Sequence, residues 1–277
     1  SAEGTWDRDA VFSPDGSLLA IATTGKAIQV YQTEKKQQLW RSDTGARSLA
    51  FAPNGKTLIT ADWEDADIKV WDAHSGKPLK TLQGTSATLK PDSWCQGTVA
   101  YAPDGKTFAS AVGGADRSVK FPTQLTIWDA ESLTPRTRFV PHKYRIHAMA
   151  YSPDGKSLAI GGVGGTLRLV SLPDPTDKDA AAKVVASLRS HRGTIMGIAW
   201  SPDGKLLASC SREYTKERGR IVVWQMEDST YPAFEWNGPG VTSVQFSPDG
   251  KSMVSSDQDG AVTLWQVNPV SASLVAA

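Results

Sequence analysis

Apolar and polar positions along this chain alternate in short runs of four to seven residues, the period of half-buried β-strands, and no stretch of useful length carries a helical stripe. The runs come in a fixed order. A stretch such as Val241-Thr-Ser-Val-Gln-Phe246 leads into a turn, and a run such as Leu206-Leu-Ala-Ser-Cys-Ser211 leaves it. The turn itself is an aromatic residue, Ser or Ala, Pro, Asp or Asn, and Gly, and it occurs six times: Phe12 to Gly16, Phe51 to Gly55, Tyr101 to Gly105, Tyr151 to Gly155, Trp200 to Gly204 and Phe246 to Gly250. Pro presets φ, the Asp or Asn side chain bonds nearby backbone, and Gly accepts a positive φ, so each copy predicts a hairpin. A third strand follows at a steady distance, as in Ile68-Lys-Val-Trp71, Leu125-Thr-Ile-Trp128 and Ile221-Val-Val-Trp224, and a weaker fourth, such as Leu79-Lys-Thr-Leu82, closes the unit.

Between the prolines at 14, 53, 103, 153, 202 and 248 the steps are 39, 50, 50, 49 and 46 residues. Repetition at this period signals solenoids or propellers. A single four-stranded sheet cannot bury both faces until it stacks radially on neighbours, so the predicted class is all-β, a β-propeller of four-stranded antiparallel blades. Thirteen residues precede Pro14 and 29 follow Pro248, together about one repeat, which favours six blades, at about 5–42, 43–84, 94–140, 143–190, 192–237 and 239–277, in one domain over 1–277. Seven blades is the alternative.

The pattern carried by Ala46 to Asp72 and by Val241 to Gln266 resembles the WD-repeat family, and the likeness covers essentially the whole chain. Only Trp71-Asp72 and Trp128-Asp129 keep the literal dipeptide; Tyr31 and Val170 replace the Trp in two copies. The resemblance implies structural roles for Trp71, Trp128, Trp224 and Trp265 at the ends of third strands, where a large ring fills the wedge between blades. Burying one contributes on the order of 2 to 3 kcal/mol. It also implies a His, Ser, Trp and Asp hydrogen-bond tetrad. Its members here are His191, Ser209 and Trp224, with no Asp, and His142 takes the histidine position of another blade. With the tetrad incomplete, apolar packing is expected to carry more of the rigidity.

Charge and composition narrow the function. The formal net charge is +1, from 30 basic and 29 acidic residues, so no overall field draws the chain to nucleic acid or anionic lipid. The loop Asp62 to Asp67 is strongly acidic, which breaks any continuous basic track, and no nucleic-acid partner is expected. The apolar runs are of strand length, far short of the roughly 20 residues that span a bilayer, so no membrane insertion is expected. The compartment stays open: the cytoplasm is the default, and export with a signal cleaved ahead of Ser1 fits the same residues. Cys95 and Cys210 read as small apolar residues, having no CxxC spacing.

No catalytic motif is present, and neither an enzyme activity nor a cofactor is expected. Gly-Lys-Ser/Thr recurs at Gly55, Gly105, Gly155 and Gly250, but the glycine that a phosphate loop needs five residues earlier is absent and a strand follows instead of a helix. The run Gly161 to Gly165 lies at a strand turn and departs from GxGxxG. The four histidines, His74, His142, His147 and His191, form no helical zinc pair, and no metal is expected.

In WD-repeat propellers, partners commonly dock on the face formed by the turns from fourth to first strand and from second to third strand. Three insertions map there: Gln83 to Gln96 with Trp94, Gly113 to Gln124 with Arg117 and Phe121, and Arg212 to Arg220 with Tyr214 and Arg218. The resemblance adds the residues at the start of each first strand, among them Trp6, Arg8, Arg47, Arg145, His147 and Met196. Arg, Trp and Met are enriched at interface cores. These eleven residues predict a non-enzymatic scaffold that binds a segment of a protein partner, monomeric in isolation. The alternatives are a propeller enzyme or small-ligand binder using the channel mouth, and a propeller domain of a larger protein.

Overall fold

A computed structural model describes residues 7–23, 27–62, 67–84, 95–114, 122–142, 144–173, 181–189, 191–213, 218–228, 232–268 and 273–276. The chain divides into two compact units, Ser1–Arg145 and Ile146–Ala277. The first holds three four-stranded antiparallel sheets: blade 1 (Asp7–Phe12, Leu18–Thr23, Ile28–Gln32, Gln37–Ser42), blade 2 (Ser48–Phe51, Thr57–Ala61, Asp67–Asp72, Pro78–Gln83) and blade 3 (Cys95–Tyr101, Thr107–Gly114, Thr123–Asp129, Pro135–His142). The second holds blade 4 (Ile146–Tyr151, Ser157–Gly162, Thr166–Ser171, Lys183–Arg189), blade 5 (Thr194–Trp200, Leu206–Glu213, Arg218–Gln225, Pro232–Pro239) and blade 6 (Val241–Phe246, Ser252–Asp257, Val262–Asn268, Ser273–Ala276). Strands pair in chain order within every sheet. The fold class is the six-bladed β-propeller.

The hairpin tips explain the repeat. Gly16, Gly55, Gly105, Gly155, Gly204 and Gly250 all have φ between 69° and 73°, the left-handed region that a Cβ disfavours. The preceding Asp or Asn accepts a backbone N–H two residues on, as in Lys205 N to Asp203 Oδ1 at 3.0 Å. In blades 1, 4, 5 and 6 the Ser before the Pro donates to that same carboxylate at 2.6 Å. These bonds hold Asp15, Asp154, Asp203 and Asp249 below the usual carboxylate range, Asp15 at about 2. The Asp of each literal Trp-Asp pair works in the same way one turn later: Asp72 Oδ1 accepts from Ser75 N at 2.8 Å, and Asp129 Oδ1 from Ser132 N at 2.8 Å.

Packing runs from blade to blade within each unit. Trp71 of blade 2 joins Leu18, Ala20, Ile28 and Val30 of blade 1, and Trp128 of blade 3 joins Ile59, Ile68 and Val70 of blade 2. In the second unit Trp224 of blade 5 packs on Leu167 and Leu169 of blade 4, and Trp265 of blade 6 on Ile221 and Val223 of blade 5. Cys210 is fully buried in this last cluster, which pushes its thiol up to about 12 and leaves it a small apolar group. The face that each blade turns toward its successor is apolar in the same way. Blade 2 buries Ile59, Ile68 and Val70 against blade 3, whereas blade 6, the last in its unit, exposes Val254, Val262 and Leu264 at the same positions.

Candidate docking surface

Because strands alternate in direction, every blade has one edge formed by the Pro-Asp/Asn-Gly hairpins. The opposite edge is formed by the turns from fourth to first and from second to third strand. Two structural devices shape this opposite edge. The first is a network inside the blades, which reaches this edge in blade 5 through His191. Trp71, Trp128, Trp224 and Trp265 each donate their indole N–H to a hydroxyl on the neighbouring second strand: Thr60 at 3.1 Å, Ser110 at 2.8 Å, Ser209 at 3.2 Å and Ser255 at 2.9 Å. In blade 5 the chain continues, for Ser209 Oγ lies 2.7 Å from His191 Nε2, and His191 Nδ1 lies 2.8 Å from Ser211 Oγ. Burial, aided by the Arg220 charge, holds the imidazole down at about 3, so it is neutral across the physiological range. His142 is also buried, but its Nδ1 accepts from Tyr144 N at 3.0 Å instead.

The second device is a β-bulge near the start of the first strand. Pairing with the second strand skips one residue between Asp7 and Asp9 in blade 1, Ile146 and Ala148 in blade 4, Ile195 and Gly197 in blade 5, and Val241 and Ser243 in blade 6. The skipped residues are Arg8, His147, Met196 and Thr242. A bulge breaks the in-out alternation and re-aims a side chain, and bulges recur beside functional sites. His147, Met196 and Thr242 are half-buried; Met196 also leans on the apolar cluster between blades 5 and 6. In blade 2 the corresponding residue, half-buried Arg47, precedes the strand and donates its backbone N–H to Ala61 O at 2.8 Å. In blade 3 the position is Gly97, whose N–H reaches Asp62 O of blade 2 at 3.2 Å.

Beside Arg47 stands a carboxylate that the sequence did not single out. Asp9 Oδ2 accepts the backbone N–H of Leu49 at 2.8 Å, tying blade 1 to blade 2. Desolvation raises its carboxyl to about 6, against the opposing pull of the Leu49 and Ala10 N–H groups and of Arg47. Arg145 is half-buried, at the end of the first unit. Arg218 is exposed and lines a cleft with Arg192, Arg220 and Asn237 on the same edge of blade 5. Trp6, Trp94, Arg117, Phe121 and Tyr214 lie outside the described residues, as do the side chains of Arg8 and Cys95.

Two of the three insertions are shorter than their sequences suggest. Glu213 pairs with Arg218, and Arg212 with Gly219, so the hairpin of blade 5 extends into the segment read as a loop, and only 214–217 lies between its strands. The hairpin of blade 3 likewise keeps Gly113 and Gly114 in its second strand and Thr123 and Gln124 in its third. Among the described residues no three of His, Cys, Asp and Glu converge as metal ligands would, and no helix is long and apolar enough to cross a membrane.

Comparison with known proteins matches two families. The anaphase-promoting complex subunit 4 WD40 domain fits residues 10–96, and the WD domain, G-beta repeat, fits 133–171, 182–225 and 231–266. Among curated relatives, apoptotic protease-activating factor 1 of Rattus norvegicus is 26% identical over 94% of this chain and 19% of its own length. WD repeat-containing protein SL1-17 of Schistosoma mansoni is 27% identical over 76% of this chain and 62% of its own length. The periodic tryptophan protein 2 homolog of Dictyostelium discoideum is 24% identical over 91% of this chain and 30% of its own length. The chain thus spans less than two thirds of each of these relatives.

Proposed function

The chain belongs to the WD-repeat family, and from that premise we propose that it is a scaffold that holds a protein partner on the blade edge opposite the hairpin tips, without chemistry of its own. The observation that carries the reading is the recurrent bulge. Four first strands spend a residue outside the ladder, at Arg8, His147, Met196 and Thr242, where an uninterrupted strand would pair more regularly. The rest of the scaffold is rigid: indole-to-hydroxyl bonds in four blades and apolar packing between blades fix the backbone that carries these residues. A pre-ordered surface binds without the entropic cost of ordering itself. Within the second unit the mixed character of His147, Met196 and Thr242, imidazole, thioether and hydroxyl, suits a peptide with varied side chains better than a repeating polyanion. The chain spans only part of its relatives, and its place as the recognition domain of a longer protein belongs to the same proposal.

Affinity capture from a lysate of the source cells tests the edge. The Arg8→Ala, Arg47→Ala, His147→Ala variant is expected to lose a partner that wild type retains. A control carrying Lys106→Glu, Lys156→Glu and Lys205→Glu at the hairpin tips is expected to keep it. Loss in the control with retention in the first variant places the partner on the hairpin-tip edge and overturns the proposal.

A further inference from the structure

The cleft above blade 5, entirely within the second unit, has a volume of about 610 Å³ and is lined by Arg192, Arg218, Arg220, Asn237, Glu213 and Asp259, with the backbone of Gly219 to one side. We propose that this cleft takes side-chain carboxylates of an acidic stretch in the partner. The inference rests on the scaffold reading and supplies the ligand chemistry which that reading leaves open.

Three guanidinium groups meet here, Arg192 from the turn ahead of the first strand and Arg218 and Arg220 from the third strand, and they are not equivalent. Arg220 is oriented by its neighbours on the fourth strand: its Nε donates to Asn237 Oδ1 at 3.0 Å, and its Nη1 lies 3.3 Å from Glu235 Oε2. Arg192 and Arg218 are exposed, and among the described residues neither has an ion-pair partner, although Glu213 and Asp259 line the same cleft. A planar fork of donors matches a carboxylate two bonds at a time, which makes exposed arginines at a cleft mouth suited to that group. Glu213 and Asp259 set the limit: they repel a continuous chain of phosphates while leaving room for carboxylates spaced by neutral residues.

The Gly219 side of the cleft is close-packed. A Cβ on Gly219 would run into Pro239 O, Ser211 O and Val241 N, so the strands approach there as closely as backbone allows. The outer strand of blade 5, Pro232–Pro239, alternates half-buried and exposed residues and ends in the cleft, offering an extended peptide a parallel course.

The test uses the full chain and a fluorescein-labelled Gly/Ser peptide carrying a pair of glutamates, read by anisotropy. Wild type is expected to bind it, more weakly as salt rises, and the glutamine counterpart is expected not to bind. The Arg192→Gln, Arg218→Gln variant, whose changes touch exposed side chains only, should melt with wild type and bind about tenfold more weakly. Equal binding by the glutamine peptide or by the variant overturns the inference. Binding of a phosphoserine peptide without binding of the glutamate peptide also overturns it, by assigning the cleft to phosphate. Lysate capture separates the two proposals: a partner lost by the Arg8, Arg47, His147 variant but kept by the Arg192, Arg218 variant sustains the scaffold and sinks the cleft. A glutamate peptide that binds through Arg192 and Arg218, together with a partner that the Arg8, Arg47, His147 variant retains, does the reverse.

Discussion

Blades 4 and 5 come from the same repeat and pack side by side in one unit, yet their cores are joined by different means. In blade 5, Trp224 donates to Ser209, which is hydrogen-bonded to His191 Nε2, and His191 Nδ1 is hydrogen-bonded to Ser211; all four residues are buried. In blade 4 the Trp position is Val170 and the hydroxyl position is Ile160, both fully buried. The two changes go together. Blade 1, which has Tyr31 at the Trp position, carries Ile21 in place of the hydroxyl, whereas the other blades with Trp keep Thr60, Ser110 or Ser255. An indole N–H buried without an acceptor costs about 1–3 kcal/mol, and a buried hydroxyl without a donor costs similarly, so a repeat keeps both members or drops both. Polar and apolar solutions are thus interchangeable between blades as complete sets, never by halves.

The comparison breaks first at the tryptophan. Trp224→Ala empties the wedge between blades 4 and 5 and takes one hydrogen-bond partner from Ser209, which keeps His191, with an expected loss of about 3–5 kcal/mol in urea unfolding. Val170→Ala in blade 4 removes less volume and orphans nothing, with an expected loss of about 2 kcal/mol. Equal losses would show that the polar set adds nothing to packing. The next effect is acid sensitivity. The folded-state pKa of His191 is about 3, below its unfolded value of 6.5, so its contribution is complete above pH 6.5 and is lost as pH falls toward 3, by about 1.4 kcal/mol per unit. Asp9 has the opposite sign: raised to about 6 from 3.8, it keeps its proton in the fold and adds stability as pH falls through that window. The informative quantity is therefore the difference between wild type and His191→Gln, which should shrink steadily below pH 6.5; a pH-independent difference would refute the buried neutral ring.

Much of this was legible beforehand because it is local. The aromatic-Ser/Ala-Pro-Asp/Asn-Gly string dictates a turn by the conformations of five adjacent residues, and all six glycines adopt the same positive φ. The wedge of Trp71 or Trp265 follows from its place at a strand end. The bulges at Arg8, His147, Met196 and Thr242 were not legible, because register is a property of two strands and neither run of alternation shows the slip. The extension of the blade 5 hairpin through Arg212 and Arg218 escaped for a related reason: charged residues on paired strands look like loop until their partners are known. Arg192 was missed because it becomes interesting only beside Arg218, which starts the third strand of the same blade. The pairing of Trp with a hydroxyl two strand positions beyond its cross-strand neighbour was available from the repeats themselves, through the joint appearance of Ile21 with Tyr31 and of Ile160 with Val170.

The sharpest version of the comparison isolates one hydroxyl. Ser209→Ala removes the acceptor of Trp224 and the partner of His191 Nε2 at once, while changing the volume of the core by little, and is expected to cost about 1–3 kcal/mol. The apolar design of blade 4 states what should happen next. If the penalty is mainly the orphaned indole, replacing Trp224 by Phe in the Ser209→Ala background should cost less than Trp224→Phe alone, since the second hydrogen-bonding group leaves after the first has already gone. A double-mutant cycle by urea unfolding reads the coupling directly, and it should fall in the 0.5–3 kcal/mol range of groups in one network. Strict additivity would mean that Ser209 and Trp224 touch without depending on each other, and that the joint loss of both residue types from blades 1 and 4 has another origin.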